Sequence, residues 1–67
     1  MKVRLDGVDW KILRTLQSEG RITNVELARQ VGISAPPCLR RVRALEESGI
    51  IESYRTLLDE KQLGFDL

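Results

Sequence analysis

Three arginines, Arg40, Arg41 and Arg43, stand in a stretch from Ser34 to Leu45 that contains no acidic residue. A guanidinium presents five N–H donors in a planar fork, so its chemistry is recognition of phosphate oxygens or of guanine O6 and N7. Arg21 and Arg29 lie earlier in the chain and suit outer phosphate contacts. The formal net charge is only +1 over 67 residues. A local basic face is sufficient, because the field at a surface is set by the charges nearest to it. The acids gather outside that stretch, at Glu46, Glu47 and Glu52 and around Asp59 and Glu60.

Other chemistries are poorly served. The chain has no histidine and one cysteine, which excludes an internal disulfide. A structural zinc needs about four Cys or His ligands, so no metal site is assigned. No nucleophile is paired with a base, so no catalytic residue and no cofactor is assigned either. Cys38 reads as a small core side chain, and a lone thiol suits a reducing cytosol. No apolar run approaches the roughly 20 residues of a membrane helix, and no secretory leader precedes the first helix. The expected location is the cytoplasm. A chain of this length makes one domain with a small core, burying roughly 60% of its unfolded surface.

The arginines need a scaffold, and the apolar spacing supplies one. Leu5, Val8, Ile12 and Leu16 form one helical face, with Leu13 beside it, predicting a helix from Asp6 to about Ser18. Asp6 caps it, Asp9 suits the positive end of its dipole and Gly20 is its stop. A second helix is predicted from Asn24 to Val31, opened by a Thr23/Glu26 capping box and apolar at Leu27, Ala28 and Val31. Gly32 then leads a short turn through Ile33 and Ser34. A third helix follows with Ser34 as N-cap and runs to about Ser48, where Gly49 ends it. Pro36 and Pro37 fall in its first turn, where backbone N–H groups have no partner within the helix. Cys38, Val42 and Leu45 lie within about 60° of one another on its wheel.

Two helices joined by a glycine-led turn of this length have the spacing of a helix-turn-helix. Ala28 is small where the helices approach closely, and Gly32 permits a positive φ. On the third helix Pro36, Arg40 and Glu47 point directly away from the core, with Pro37, Arg43 and Ala44 beside them and Arg41 at one edge. In a major groove Arg40 and Arg43 are placed for bases and Arg41 for backbone. Ser34, Ala35, Pro36 and Pro37 form the leading end, where N–H groups and the helix dipole favour a phosphate. The competing reading of these arginines is a solvated face paired to Glu46 or Glu47. Trp10 shares the wheel with Arg14 and Gln17, away from the core, where it either lies flat on the surface or marks a contact with a further domain or subunit.

From Ile50 to Leu58 the residues become β-branched and aromatic, which predicts a strand. An edge strand of this kind leaves N–H and C=O groups that seek a partner. Tyr54 within it is read as packing rather than base stacking. The ending Leu63-Gly-Phe-Asp-Leu reads as the first strand of a second domain.

Two runs in this chain carry a resemblance. They are L-D-G-V-D-W-K-I-L-R-T-L-Q-S-E-G-R-I-T-N-V-E-L-A-R-Q-V-G-I-S from Leu5 and P-C-L-R-R-V-R-A-L-E-E-S-G-I-I from Pro37. The chain resembles the leucine-responsive regulatory protein/AsnC family of transcription regulators over almost its whole length. The resemblance implies a mainly α, winged-helix-like, three-helix helix-turn-helix domain with a short C-terminal β-strand. It also implies binding to double-stranded DNA, a homodimer formed through the strand Ile50–Leu58, and an amino-acid effector acting only through a second, α/β domain. On this reading residues 1–50 are the DNA-binding domain, and residues 51–67 are the linker strand and the start of the ligand-binding domain. Two other classes share such a fold: an oligomerisation module without DNA binding, and the N-terminal domain of a sirohaem decarboxylase-like protein.

Overall fold

In a computed structural model residues 4–64 are described. They contain four helices: α1 (Gly7–Ser18), α2 (Asn24–Val31), α3 (Ala35–Glu47) and a single turn, α4 (Glu60–Leu63). α2 packs on both α1 and α3. The core is formed by Ile12 of α1, Leu27, Ala28 and Val31 of α2, and Cys38 and Leu45 of α3. Leu5, Val8, Leu13, Leu16, Ile22, Ile33, Ala35, Val42 and Ile51 close around it. Ile12 and Cys38 are completely buried, which gives Cys38 the packing role its sequence position predicts.

The helix ends explain the boundaries. Asp6 and Asp9 form a full capping box on α1, each accepting the other's backbone N–H at 2.9 and 3.2 Å. The expected box on α2 is only half made. Thr23 Oγ1 accepts the Glu26 N–H at 3.1 Å, but the Glu26 carboxylate is turned to Arg29 and Gln30 instead. α1 ends through Glu19 rather than through a left-handed glycine, and Gly20 has no positive φ. At Gly32 the expectation holds: φ is +83°, a conformation that disfavours any side chain with a Cβ. There Ala28 O accepts both the Gly32 and Ile33 N–H groups, at 2.9 and 3.0 Å, locking the turn.

The predicted strand from Ile50 to Leu58 is not formed; among the described residues no strand occurs. The segment 52–58 has no regular secondary structure and no neighbouring strand among the described residues to complete a ladder. Its β-branched composition fits a pleated surface, and composition alone supplies no partner. Of the expected strand from Leu63 to Leu67 only the first two residues are described, and they belong to the end of α4. Asp59 caps α4 and Gly64 closes it with φ +75°, while Phe65, Asp66 and Leu67 lie outside the described residues.

Candidate nucleic-acid interface

α3 carries the site, and α1 and α2 hold it. Its inner side is anchored by Cys38 and Leu45, with Val42 packed between them, so Arg40 and Arg43 face outward. Arg40 and Arg43 are both exposed, and neither makes a hydrogen bond or ion pair among the described residues. The pairing of these arginines to Glu46 or Glu47 is therefore not observed. Glu46 instead accepts the Tyr54 hydroxyl at 2.8 Å.

The third arginine behaves differently. Arg41 Nη1 donates to both carboxylate oxygens of Asp6 at 2.8 Å and to Asp9 Oδ1 at 3.1 Å. It thus ties α3 to the cap of α1. Expected on the DNA backbone, Arg41 is held within the protein, because its edge position on α3 faces two acids already fixed by the capping box. The Asp9 backbone N–H, followed by the Arg41 guanidinium, holds the Asp6 carboxyl below its ordinary range. Asp6, then Asp9, stabilises the charged form of Arg41.

Arg29 is also engaged. Its Nε donates to Glu26 Oε2 at 2.8 Å, and its terminal nitrogen pairs with the same oxygen. The pair is one helical turn apart and well exposed. Arg21, by contrast, is exposed at the start of the loop before α2 and has no partner among the described residues.

The leading end of α3 departs from expectation in one respect. Ser34 is the N-cap, yet its hydroxyl makes no capping hydrogen bond. An N-cap oxygen accepts from the second or third N–H of the helix. Those positions are Pro36 and Pro37, which have none. The same prolines remove most of the donors expected here for a phosphate. Of the first three helical residues only Ala35 keeps an N–H, and Cys38 N already donates to Ser34 O at 3.2 Å. Ser34 therefore offers DNA an uncommitted hydroxyl rather than a ring of amides. Because that hydroxyl caps nothing, Ser34→Ala is expected to change stability by less than about 0.5 kcal/mol, against a usual loss of ~1. Thermal melting followed by circular dichroism checks this.

One positioning residue went unnoticed in the sequence. Asn24, first in α2, donates from Nδ2 to Ala35 O at 2.9 Å, joining the starts of the two helices. Its buried Oδ1 has no partner. Only a polar residue at the head of α2 hinted at this.

Trp10 is 58% exposed. It lines an open groove of about 950 Å³ between α1 and the segment 50–56, with Arg14, Gln17, Tyr54 and Arg55. Partial burial, then the Glu46 hydrogen bond, pushes the Tyr54 phenol up to about 12. A raised value means that folding favours the neutral phenol. This stabilisation is complete below the ordinary value near 10 and is lost as pH rises through 12. Tyr54 is the only tyrosine, so phenolate absorbance reports it directly. Its midpoint is expected near 12 in the folded chain and lower in Glu46→Gln, which removes the carboxylate charge and leaves the effect of burial.

The geometry is that of a reading helix set on a two-helix support, with unpaired guanidinium groups outward. A family model described as winged helix-turn-helix DNA-binding matches residues 5–52. The leucine-responsive regulatory protein of Rhizobium meliloti is 67% identical over 67 residues, covering all of this chain and 43% of that protein. A crystal structure of a transcriptional regulator–L-Met complex from Neisseria meningitidis superposes with a TM-score of 0.87 at 48% identity. It covers 90% of this chain and 39% of that one. An AsnC family transcriptional regulator from Agrobacterium tumefaciens gives 0.83 at 41% identity, covering 88% and 39%. The chain belongs to the winged helix-turn-helix DNA-binding family, in its leucine-responsive regulatory protein/AsnC branch. It spans less than half the length of the curated relatives it matches.

Among the described residues no helix is long and apolar enough to cross a membrane, and no group of three or more His, Cys, Asp or Glu could hold a metal ion.

Proposed function

We propose that α3 enters the major groove of double-stranded DNA, with Arg40 and Arg43 on base edges. Ser34, Ala35, Pro36 and Pro37 lead it in, and Arg21 reaches a flanking phosphate. Arg29 must first leave Glu26; an exposed pair of that kind is worth only about 0–1 kcal/mol, so it contributes less than a full contact. The observation that carries the reading is the exposure of Arg40 and Arg43 without any partner on the outward face of α3. One head makes few phosphate contacts, so the chain alone is expected to bind mixed-sequence DNA with Kd of roughly 10⁻⁴–10⁻⁶ M.

The wider protein is proposed to be a cytoplasmic, amino-acid-responsive regulator of transcription. Support comes from relatives described as leucine-responsive and from a neighbour solved with L-Met. Residues 1–50 are proposed as the reading head and 51–67 as the linker to an effector domain, which would carry the response. The segment from Ile50 to Leu58 is proposed to pair with its equal in a second subunit. Its unladdered backbone and the exposed Leu57 and Leu58 support this. Titration of a selected and a mixed-sequence duplex between 50 and 200 mM salt, about the range where phosphate contacts are lost, tests the DNA reading. A preference for the selected duplex that persists at high salt is expected; equal binding to both at every salt would overturn it.

A further inference from the structure

We propose that Asp6 and Asp9 withhold Arg41 from DNA, limiting the sequence-independent attraction of the reading helix. The inference rests on the reading that α3 faces DNA. Arg41 follows Arg40 on α3, yet its guanidinium is turned inward to two carboxylates. Carboxylate and phosphate oxygens are equivalent partners for a guanidinium fork, so the two acids take the place a phosphate would take.

The acids are held in readiness for this. Asp9 Oδ2 accepts the Asp6 N–H and Asp6 Oδ1 accepts the Asp9 N–H, so neither carboxylate turns to solvent without uncapping α1. Side-chain exposure is 15% at Asp9 and 34% at Arg41, with Asp6 on the solvent side of the cluster at 56%. Two carboxylates on one guanidinium leave the cluster net negative, beside a face whose remaining arginines are unpaired. A phosphate contact adds to binding of any sequence, whereas Arg40 and Arg43 act on bases. Confining Arg41 therefore leaves the register of α3 on DNA to the base-reading pair.

The test uses three variants of the whole chain: Arg41→Gln, the double Asp6→Asn/Asp9→Asn, and the triple combining them. Asparagine caps a helix about as well as aspartate, so α1 is retained. Melting curves confirm the fold in each case. Fluorescence anisotropy with a mixed-sequence duplex then gives the slope of log affinity against log salt, in which each phosphate contact counts about 0.9. Arg41→Gln is expected to leave that slope unchanged, because Arg41 makes no phosphate contact in the parent. The double variant is expected to bind several-fold tighter and to steepen the slope by about one unit. In the triple variant the steepening disappears.

Two results would overturn the proposal. One is Arg41→Gln alone flattening the slope by about one unit, which places Arg41 on phosphate already. The other is the triple variant keeping the full gain of the double, which makes the gain a general effect of removing acids. An exposed structural ion pair would change the melting point and leave the salt slope alone. Failure of the wider reading has its own signature: a parent with no preference for a selected duplex.

Discussion

Arg40→Ala is expected to weaken binding to the preferred duplex by about 1–3 kcal/mol while changing binding to mixed-sequence DNA far less. The reason lies in the geometry of α3. Cys38 and Leu45 fix the buried side of the helix, and Arg40 leaves it on the opposite side with no acid to hold it. A bidentate contact to guanine is lost whole when the guanidinium is removed, and nothing nearby replaces it. Competition titrations of selected against mixed duplex read the change as a collapse of the preference at the position Arg40 contacts. If the variant kept both its affinity and its preference, the outward face of α3 would not be the reading surface. The stability of Arg40→Ala should stay within about 0.5 kcal/mol of the parent, since an exposed, unpaired side chain supports no packing. That separates loss of recognition from loss of fold.

The largest effect on the fold is expected from Ala28→Leu. Ala28 is 2% exposed and lies in α2, the helix that touches both of the others. Leucine there adds three carbons to a filled space between helices, an overpacking that costs about 1–3 kcal/mol or more. In a domain of this size each kcal/mol lowers Tm by about 4–8 °C, so the shift is easily seen by circular dichroism. Val25→Ala makes the control. Val25 is in the same helix but 71% exposed, and its truncation should barely move the melting curve. Equal melting of Ala28→Leu and the parent would mean that the helices do not meet at Ala28.

The three main helices were legible because their cause is local. Leu5, Val8, Ile12 and Leu16 repeat at helical spacing, Gly32 permits the left-handed turn, and two prolines sit where a first turn tolerates them. The site was legible in part for the same reason: Arg40 and Arg43 are outward because Cys38 and Leu45 are inward. Arg41 was not, since its partners lie 35 and 32 positions away and no periodicity reports such a distance. The pairing of Arg29 was not legible either, because a capping box places the Glu26 carboxylate on the Thr23 N–H, whereas it binds Arg29. The strand after Ile50 failed for a third reason. A strand exists only with a neighbour, and residue types such as Ile51, Tyr54 and Thr56 describe suitability without naming one.

The hydrogen bond from Tyr54 to Glu46 has a further consequence, for reach. It ties the departing chain back onto α3 at Tyr54, three residues beyond Ile51, the last residue packed on the core. Only residues 55–58 then separate the pinned tyrosine from the capped turn at Asp59. As a flexible chain four residues span about 10–12 Å on average, whereas the seven that follow Ile51 would span about 13–16 Å. For two reading heads joined beyond Asp59, a shorter tether confines each to a smaller volume and raises its effective concentration at the neighbouring half-site. Loosening the tyrosine leaves each head able to bind alone and makes the pair bind less as a unit.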